Sequence, residues 1–188
     1  MLASGSTYRK ELLQRLNLPF EVAAPDIDES PCPGEDGCAL ALRLACEKAS
    51  AIAQRYPDAL VIGSDQVAEC DGERFGKPGN RTKAHDQLRR LSGRRAVFHT
   101  AIALLNSATG VIRTSVVPTR VTFRALDRGE IDRYLDAEPA YDCAGSAKSE
   151  GLGICLLDAI EGDDPTALVG LPLIALCRLL RAQGVAIP

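Results

Sequence analysis

The chain has 188 residues and a formal net charge of −3, with 25% charged and 46% apolar residues. The acidic balance does not favour a nucleic-acid partner, because nucleic-acid-binding domains carry a basic patch. No apolar run reaches the roughly 20 residues that a membrane-spanning helix needs, and the N-terminus lacks the pattern of a signal peptide. The apolar content is sufficient for one core, in a single domain over 1–188 or in two small lobes that share it.

Seven cysteines occur without any C-x-x-C pair, and the chain has only two histidines. A zinc site is therefore not expected. Since Cys155 and Cys177 lie in apolar runs, we expect the thiols to be reduced, mostly buried small hydrophobic residues of a cytoplasmic protein.

Apolar periodicity and turn residues predict a mixture of helices and strands. In chain order the predicted elements are a helix over 7–16, a strand over 19–23, a loop over 24–37, a helix over 38–55, a strand over 59–63, a hairpin turn at 71–72, a turn over 76–79, a helix over 81–91, strands over 96–105 and 110–123 joined by a turn, a helix over 126–135, a loop over 145–153 and a helix over 171–181. Because hairpins occur among alternating strands and helices, we expect an α/β fold with a mixed sheet.

The first segment suited to an anionic ligand is Ser4-Gly5-Ser6, a small-residue turn ahead of a helix. Such a turn exposes backbone N–H groups at a helix N-terminus, where the helix dipole favours negative charge. Arg9 and Lys10 add positive charge, although an ordinary helix cap beside a solvated basic turn fits the same residues.

Carboxylates occur in two further segments. Asp26, Asp28 and Glu29 lie in a proline-flanked loop, and oxygen ligands of this kind suit Mg²⁺, although acidic surface loops are common. Asp65 follows an apolar strand, and ligands of α/β sheets gather outside the carboxyl ends of strands. This acid is a candidate for holding a metal or for taking a proton from water, or it simply forms a turn.

Lys77 lies in a glycine- and proline-containing turn, and Lys48 lies on the long predicted helix. Each alone is typical of a solvated surface lysine. Together with Arg9 they would form the local cationic site that the acidic composition does not otherwise provide.

An ordered set of short motifs runs along the chain: Ser4-x-Ser6-x-x-Arg9, Asp28-Glu29, Leu44-Ala45-x-x-Lys48-Ala49, Gly63-Ser64-Asp65, Gly76-Lys77-Pro78, Ser92-Gly93, Thr100, Ala144-Gly145-Ser146 and Gly170-Leu171-Pro172. Over nearly the whole chain this set resembles the Maf family of nucleotide pyrophosphatases. Within that family, Tyr8, Gln66 and Glu150 resemble the branch that acts on 7-methyl-GTP. The sibling branch, which acts on dTTP and UTP, has Thr and Gln at the latter two positions.

The resemblance implies a fold like that of the inosine triphosphate pyrophosphatases, in which a long mixed sheet flanked by helices divides two lobes around an active-site cleft. It also implies a divalent cation, Mg²⁺ or Mn²⁺, and a homodimer. Three positions depart from the family pattern: Thr7 replaces a common Pro, Tyr8 a common Trp and Lys10 a common Arg.

The roles that the resemblance implies centre on Asp65 as proton acceptor or metal ligand. Glu29 helps to hold the metal, and Tyr8, Gln66 and Glu150 select the base. The residues expected to act on the phosphates are Ser4, Ser6, Arg9, Lys48 and Lys77. Cleavage of 7-methyl-GTP to 7-methyl-GMP and diphosphate is the expected reaction. The alternatives are a pyrophosphatase for dTTP, UTP or other modified nucleotides, and a regulatory module that binds nucleotides without cleaving them.

Overall fold

The computed structural model describes Met1 to Pro188 and contains five α-helices and seven β-strands. The helices are α1 (Thr7–Gln14), α2 (Gly37–Ala53), α3 (Arg81–Leu91), α4 (Arg128–Ala137) and α5 (Leu173–Arg181). The strands are β1 (Leu2–Ala3), β2 (Val22–Ala23), β3 (Leu60–Cys70), β4 (Glu73–Phe75), β5 (Arg95–Asn106), β6 (Val111–Phe123) and β7 (Leu157–Glu161). None of the helices combines the length and the apolar character that crossing a bilayer requires.

The strands form one open mixed sheet in the order β2-β1-β3-β5-β6-β7, with β4 paired to β3. Strand β1 pairs in parallel with both β2 and β3, whereas the β3–β4 and β6–β7 pairs are antiparallel. The structure therefore confirms the predicted α/β class with a mixed sheet and flanking helices.

Most of the predicted elements are present, with shifts of a few residues at their ends. Helix α3 has the predicted bounds, and the hairpin between β3 and β4 turns at Asp71 and Gly72, both of which have positive φ. Positive φ at both central residues is the signature of the tight hairpin turn that Asp-Gly favours. Strand β7 was not predicted, because its five residues are too few for a clear alternation.

The chain divides into two compact units, one formed by residues 1–66, 100–117 and 164–188 and the other by residues 67–99 and 118–163. Strands β3, β5 and β6 each contribute residues to both. The core of the first unit is built almost entirely from aliphatic side chains of β1, α1, β3, β5 and α5: Leu2, Leu12, Leu13, Ile62, Ile102, Leu104, Leu171, Leu173, Ala175, Leu176 and Leu180.

The second unit has its own buried side chains, which come from α3, α4 and the strand segments of this unit. Its largest buried residues are Phe75, Leu88, Leu91, Phe98, Phe123, Ile131, Tyr134, Leu135 and Leu156. Polar residues start its helices: Asn80 caps α3, and Asp127 with Glu130 forms a reciprocal capping box at the start of α4. These caps satisfy backbone N–H groups that the first helical turn leaves unpaired.

The cysteine prediction was wrong in one respect. None of the seven cysteines forms a disulfide, as expected, but only Cys70 is buried, whereas Cys32 and Cys155 are exposed. Apolar neighbours in the sequence are a poor guide here, because Cys155 lies in a short 3-10 segment, Leu152–Leu156, that runs directly into β7.

A close backbone contact joins β3 to α2 at Gly63. A Cβ atom at this position would overlap the carbonyl oxygen of Ala45 and lie 2.8 Å from the amide nitrogen of Ala49. Both alanines are fully buried. Only a residue without a side chain lets the helix approach the strand this closely.

We expect Gly63→Ala to lower the free energy of unfolding by about 3 kcal/mol or more, because the added methyl group meets helix backbone that cannot move aside without displacing α2. Urea unfolding followed by circular dichroism measures the change. Gly76→Ala is the matched control, since a Cβ there meets no atom within 4 Å. Equal midpoints for the two variants would contradict the packing argument.

Candidate active site

The centre of the first unit's polar site is a buried lysine between two carboxylates. The Nζ atom of Lys48, on α2, lies 2.6 Å from Oδ1 of Asp65 and 2.7 Å from Oε1 of Glu29. Lys48 and Asp65 are only 6% and 7% exposed, whereas the Glu29 side chain is 59% exposed. A buried charge is tolerated only when it is paired and hydrogen-bonded, so this ion pair holds three predicted site residues together.

The strand that carries Asp65 is longer than predicted. The sequence placed this acid where an apolar strand ends, but β3 continues to Cys70 and Asp65 lies near its middle. Strand pairing continues past the acid because β4 folds back onto residues 68–70 of β3. Asp65 therefore lies within a paired strand, which fixes its backbone, and not in a loop at the end of the strand.

The loop that carries Glu29 is fastened to α2 by Arg43. The guanidinium group of Arg43 donates to the carbonyl oxygen of Ser30 at 2.9 Å and to Glu35 Oε1 at 2.7 Å. Asp28 accepts the backbone N–H of Ser30, and hydrogen bonds from Ser30 lower the pKa of the Asp28 carboxyl group. Asp28 thus shapes the loop, and Glu29 is the carboxylate that reaches Lys48.

The turn at the start of α1 uses its serine hydroxyls to hold its own backbone. Ser4 Oγ accepts hydrogen bonds from the backbone N–H of Ser6 and from Arg9 Nη1, and Ser6 Oγ caps the helix by accepting the backbone N–H of Arg9. Both serines therefore contribute through the shape of the turn. Tyr8 is half-buried on the same helix.

Arg9 points back towards the sheet and donates from Nε to the carbonyl oxygen of Gly170 at 2.9 Å. Burial lowers the pKa of the Arg9 guanidinium group, and the charges of Asp65 and Glu29 raise it. Because an arginine guanidinium group is not deprotonated in proteins, Arg9 remains a cation. Arg9, Lys48 and the two carboxylates consequently form one electrostatic group.

The loop over 164–172 supplies backbone carbonyl groups to this site. The single hydroxyl hydrogen of Ser64 is shared between the carbonyl oxygens of Ala101 and Gly170, which lie 2.8 and 3.0 Å from Oγ. The Gly170 carbonyl oxygen therefore accepts from both Ser64 and Arg9. Gln66 Nε2 and Thr100 Oγ1 both donate to the carbonyl oxygen of Ala167. The loop therefore orients side chains on α1, β3 and β5.

Asp164 holds this loop in shape. It is buried, and its Oδ1 accepts hydrogen bonds from the backbone N–H and the hydroxyl of Thr166, at 3.1 and 2.7 Å. Its Oδ2 accepts the backbone N–H groups of Ile174 and Ala175 at the start of α5. Sequence analysis did not select this residue, although Asp164-Pro165-Thr166 ahead of a helix is typical of a side chain that caps backbone groups.

The remaining two predicted site residues, Lys77 and Glu150, lie in the second unit, and both are exposed. Gln87 on α3 connects the loops that carry them: its Nε2 donates to the carbonyl oxygen of Gly76 at 3.0 Å, and its Oε1 accepts the hydroxyl of Ser146 at 2.7 Å. Gln87 was not selected from the sequence, because a glutamine on a helix carries no signal of its own.

The loop around Glu150 is fixed at its base by α4. Glu138 accepts the backbone N–H of Leu152, and its salt bridge to Lys148, at 3.3 Å, raises the pKa of that lysine. The hydroxyl of Tyr134 accepts the backbone N–H of Lys148, and burial raises the Tyr134 pKa to about 12. The base of the loop is thus fixed, and the Glu150 side chain remains exposed.

No group of three or more His, Cys, Asp or Glu side chains converges in the structure. Glu29 and Asp65 nevertheless meet at one point, around Lys48. Two carboxylates suit Mg²⁺, which typically takes one or two protein carboxylates and completes its shell with water and substrate phosphate oxygens. The donor set therefore fits a hard divalent cation that is shared with a phosphate ligand.

The family model described as Maf-like protein matches residues 1–183. The chain belongs to the Maf family. The predicted family membership is thus confirmed, and the polar site in the first unit contains the Maf motif residues Ser4, Arg9, Lys48 and Asp65.

Several Maf relatives are similar to the chain over almost its full length. The 7-methyl-GTP pyrophosphatase of Aromatoleum aromaticum is 61% identical over 100% of this chain and 97% of its own length. The proteins of the same name from Cupriavidus pinatubonensis and a Polaromonas species are 60% and 58% identical, over 98% and 100% of this chain and 92% and 85% of their own lengths.

We expect Asp164→Asn to destabilise the protein by about 2–3 kcal/mol, because an amide NH₂ group would face backbone donors that now bond to a carboxylate oxygen. Thermal unfolding of the variant measures this loss. Asp163→Asn changes the exposed neighbouring carboxylate in the same way and should leave stability within about 0.5 kcal/mol. If the two variants have the same melting temperature, Asp164 does not hold the loop.

Proposed function

We propose that this Maf protein hydrolyses 7-methyl-GTP to 7-methyl-GMP and diphosphate. The proposal is supported chiefly by the relatives named 7-methyl-GTP pyrophosphatase, which match over the full chain. The Lys48–Asp65–Glu29 group with Arg9 alongside is consistent with it. The enzyme is thus a hydrolase of a phosphoanhydride bond, and its proposed physiological role is the removal of modified nucleotides.

Cleavage between the α and β phosphates is a displacement by water with diphosphate as leaving group. Catalysis of phosphoryl transfer consists mainly of positioning and charge neutralisation. In the proposed reaction Arg9, Lys48 and Lys77 neutralise phosphate oxygens. The turn at Ser4 and Ser6 presents the positive end of α1 to the phosphates.

Asp65 is the acid on which the reaction depends. Its carboxylate is held on β3 and is paired with the Lys48 ammonium group at 2.6 Å. We assign it the acceptance of a proton from the attacking water, and with Glu29 the binding of Mg²⁺ or Mn²⁺. Such an ion, when bound, offsets the developing charge on the phosphate oxygens.

Base selection is assigned to Tyr8, Gln66 and Glu150. The N7-methylated guanine ring carries a positive charge, and an aromatic face attracts a cation by roughly 0.5–2 kcal/mol depending on desolvation. A carboxylate accepts hydrogen bonds from the N–H groups of the guanine edge, and bonds of this charge-assisted kind are about twice as strong as neutral ones. Glu150 is exposed and able to meet such a ligand.

The proposal includes a homodimer, which the family resemblance implies, and a cytoplasmic location. The free cysteines are consistent with a reducing compartment. The partner is a small-molecule nucleotide, and the net charge of −3 argues against nucleic acid.

We expect Asp65→Asn to reduce kcat for 7-methyl-GTP by about 100-fold or more, because the amide neither accepts a proton nor binds a divalent cation as a carboxylate does. Pyrophosphate release with Mg²⁺ or Mn²⁺ measures the reaction for 7-methyl-GTP, GTP, dTTP and UTP. Asp58→Asn, at an exposed turn, is the control and should keep full activity.

Three results would change the proposal. A preference for dTTP or UTP would retain the reaction and replace the substrate. Binding of nucleotide without pyrophosphate release would favour a regulatory module. Full activity of Asp65→Asn would remove Asp65 from the mechanism.

We expect Glu150→Gln to reduce the preference for 7-methyl-GTP over UTP by about 10-fold, because a neutral amide replaces the carboxylate that accepts the guanine N–H groups. The ratio of kcat/KM values for the two substrates measures this preference. Glu161→Gln, an exposed change on β7, serves as control. An unchanged ratio in Glu150→Gln would show that this side chain does not select the base.

A further inference from the structure

The side-chain amide of Gln66 is held by three acceptors on one side. Its Nε2 atom lies 2.9 Å from Thr100 Oγ1, 3.0 Å from the carbonyl oxygen of Ala167 and 2.9 Å from that of Leu168. All four residues lie in the first unit. An amide nitrogen has two hydrogens, so both are committed to these three acceptors.

Thr100 can only accept a hydrogen bond from Gln66, because its own hydroxyl hydrogen is used elsewhere. It is fully buried on β5, and its hydroxyl donates to the carbonyl oxygen of Ala167 at 2.9 Å. With its hydrogen used there, Thr100 Oγ1 offers Gln66 only a lone pair. Turning the Gln66 amide by 180° would set its oxygen against two carbonyl oxygens and this lone pair, so the chemistry of the contacts fixes the amide orientation.

The oxygen of the Gln66 amide is left for a ligand. Gln66 Oε1 accepts no hydrogen bond within the chain, and the buried polar atoms that lack a partner are His85 Nε2 and Thr119 Oγ1. Gln66 is half-buried and its Oε1 is not among them, so this oxygen is not fully enclosed by the fold. The Gln66 side chain can consequently offer a ligand its oxygen as an acceptor, but not its N–H groups as donors.

We propose that Thr100 is a positioning residue that, together with the carbonyl oxygens of Ala167 and Leu168, turns the Gln66 amide oxygen towards the substrate, so that position 66 accepts a hydrogen bond from the nucleobase and donates none. This inference rests on the proposed function and adds to it that the edge of the base facing Gln66 must carry hydrogen-bond donors. It favours an electron-poor base edge with N–H donors, as in methylated guanine. It disfavours an edge such as that of uracil, in which two carbonyl oxygens flank a single N–H.

The test compares Thr100→Val, which keeps the shape but removes the hydroxyl, with Thr100→Ser, which keeps the hydroxyl. Thr119→Val is the matched control, because Thr119 is also buried in a strand but its hydroxyl has no partner. The measurement is kcat and KM for 7-methyl-GTP and UTP. We expect Thr100→Val to lower the preference for 7-methyl-GTP over UTP roughly 10-fold, mainly through KM. The reason is that the Gln66 amide is less well oriented and the one hydrogen bond from the base to its oxygen is weakened.

Thr100→Ser and Thr119→Val should retain the wild-type preference. An unchanged preference in Thr100→Val, or an equal loss in Thr119→Val, would overturn the proposal. If Thr100→Val does not fold, Thr100→Ala removes the same hydroxyl and carries the same expectation.

A double-substitution cycle separates positioning from a general structural effect. In a Gln66→Met background the amide is gone, so Thr100→Val should no longer alter the preference. A persisting effect would show that Thr100 acts by another route and would overturn the proposal.

The same comparison is made by equilibrium binding of 7-methyl-GTP and UTP to Asp65→Asn variants. Selective binding that depends on Thr100, with no turnover by the wild type, would support this inference while rejecting the proposed reaction. Turnover by the wild type with selectivity that is independent of Thr100 would support the proposed reaction and reject this inference.

Discussion

The buried ion pair between Lys48 and Asp65 is the interaction on which the site depends. Removing a charge from water is costly, and a single unpaired partner left in this position would be strongly destabilising. The pair therefore requires α2 and β3 to lie at a fixed separation, and it draws Glu29 in from a neighbouring loop. Arg9 approaches the same carboxylates from α1, with its guanidinium group fixed by the carbonyl oxygen of Gly170. Charge compensation in this one place thus organises residues that are widely separated in the sequence.

The sequence was most informative where local chemistry decides the structure. Helix α3 begins after the capping residue Asn80 and ends at Leu91 as predicted, and the Asp71-Gly72 turn formed because those residues tolerate positive φ. It was least informative where pairing with a distant segment decides. Strand β3 continues past Asp65 because β4 and other strands supply hydrogen-bond partners, and no pattern within residues 60–70 reveals that.

The same distinction holds for the site. Charged residues were found from the sequence because few side chains suit phosphate or a metal, and the structure brought Lys48, Asp65 and Glu29 together. The supporting groups were missed because most of them are backbone carbonyl oxygens, which every residue possesses. The loop over 164–172 offers such oxygens at Ala167, Leu168 and Gly170, and its shape depends on Asp164, whose role appears only when its four donors are in place.

The contact at Gly63 has a consequence beyond stability. Ala49 adjoins Lys48 on α2, and Gly63 precedes Asp65 by two residues on β3. The backbone contact and the ion pair therefore join neighbouring positions of the same helix and the same strand. A larger side chain at position 49 or 63 would push α2 away from β3 and so displace the Lys48 ammonium group relative to the Asp65 carboxylate. Residues that never meet a nucleotide therefore set the spacing of the groups proposed to cleave it.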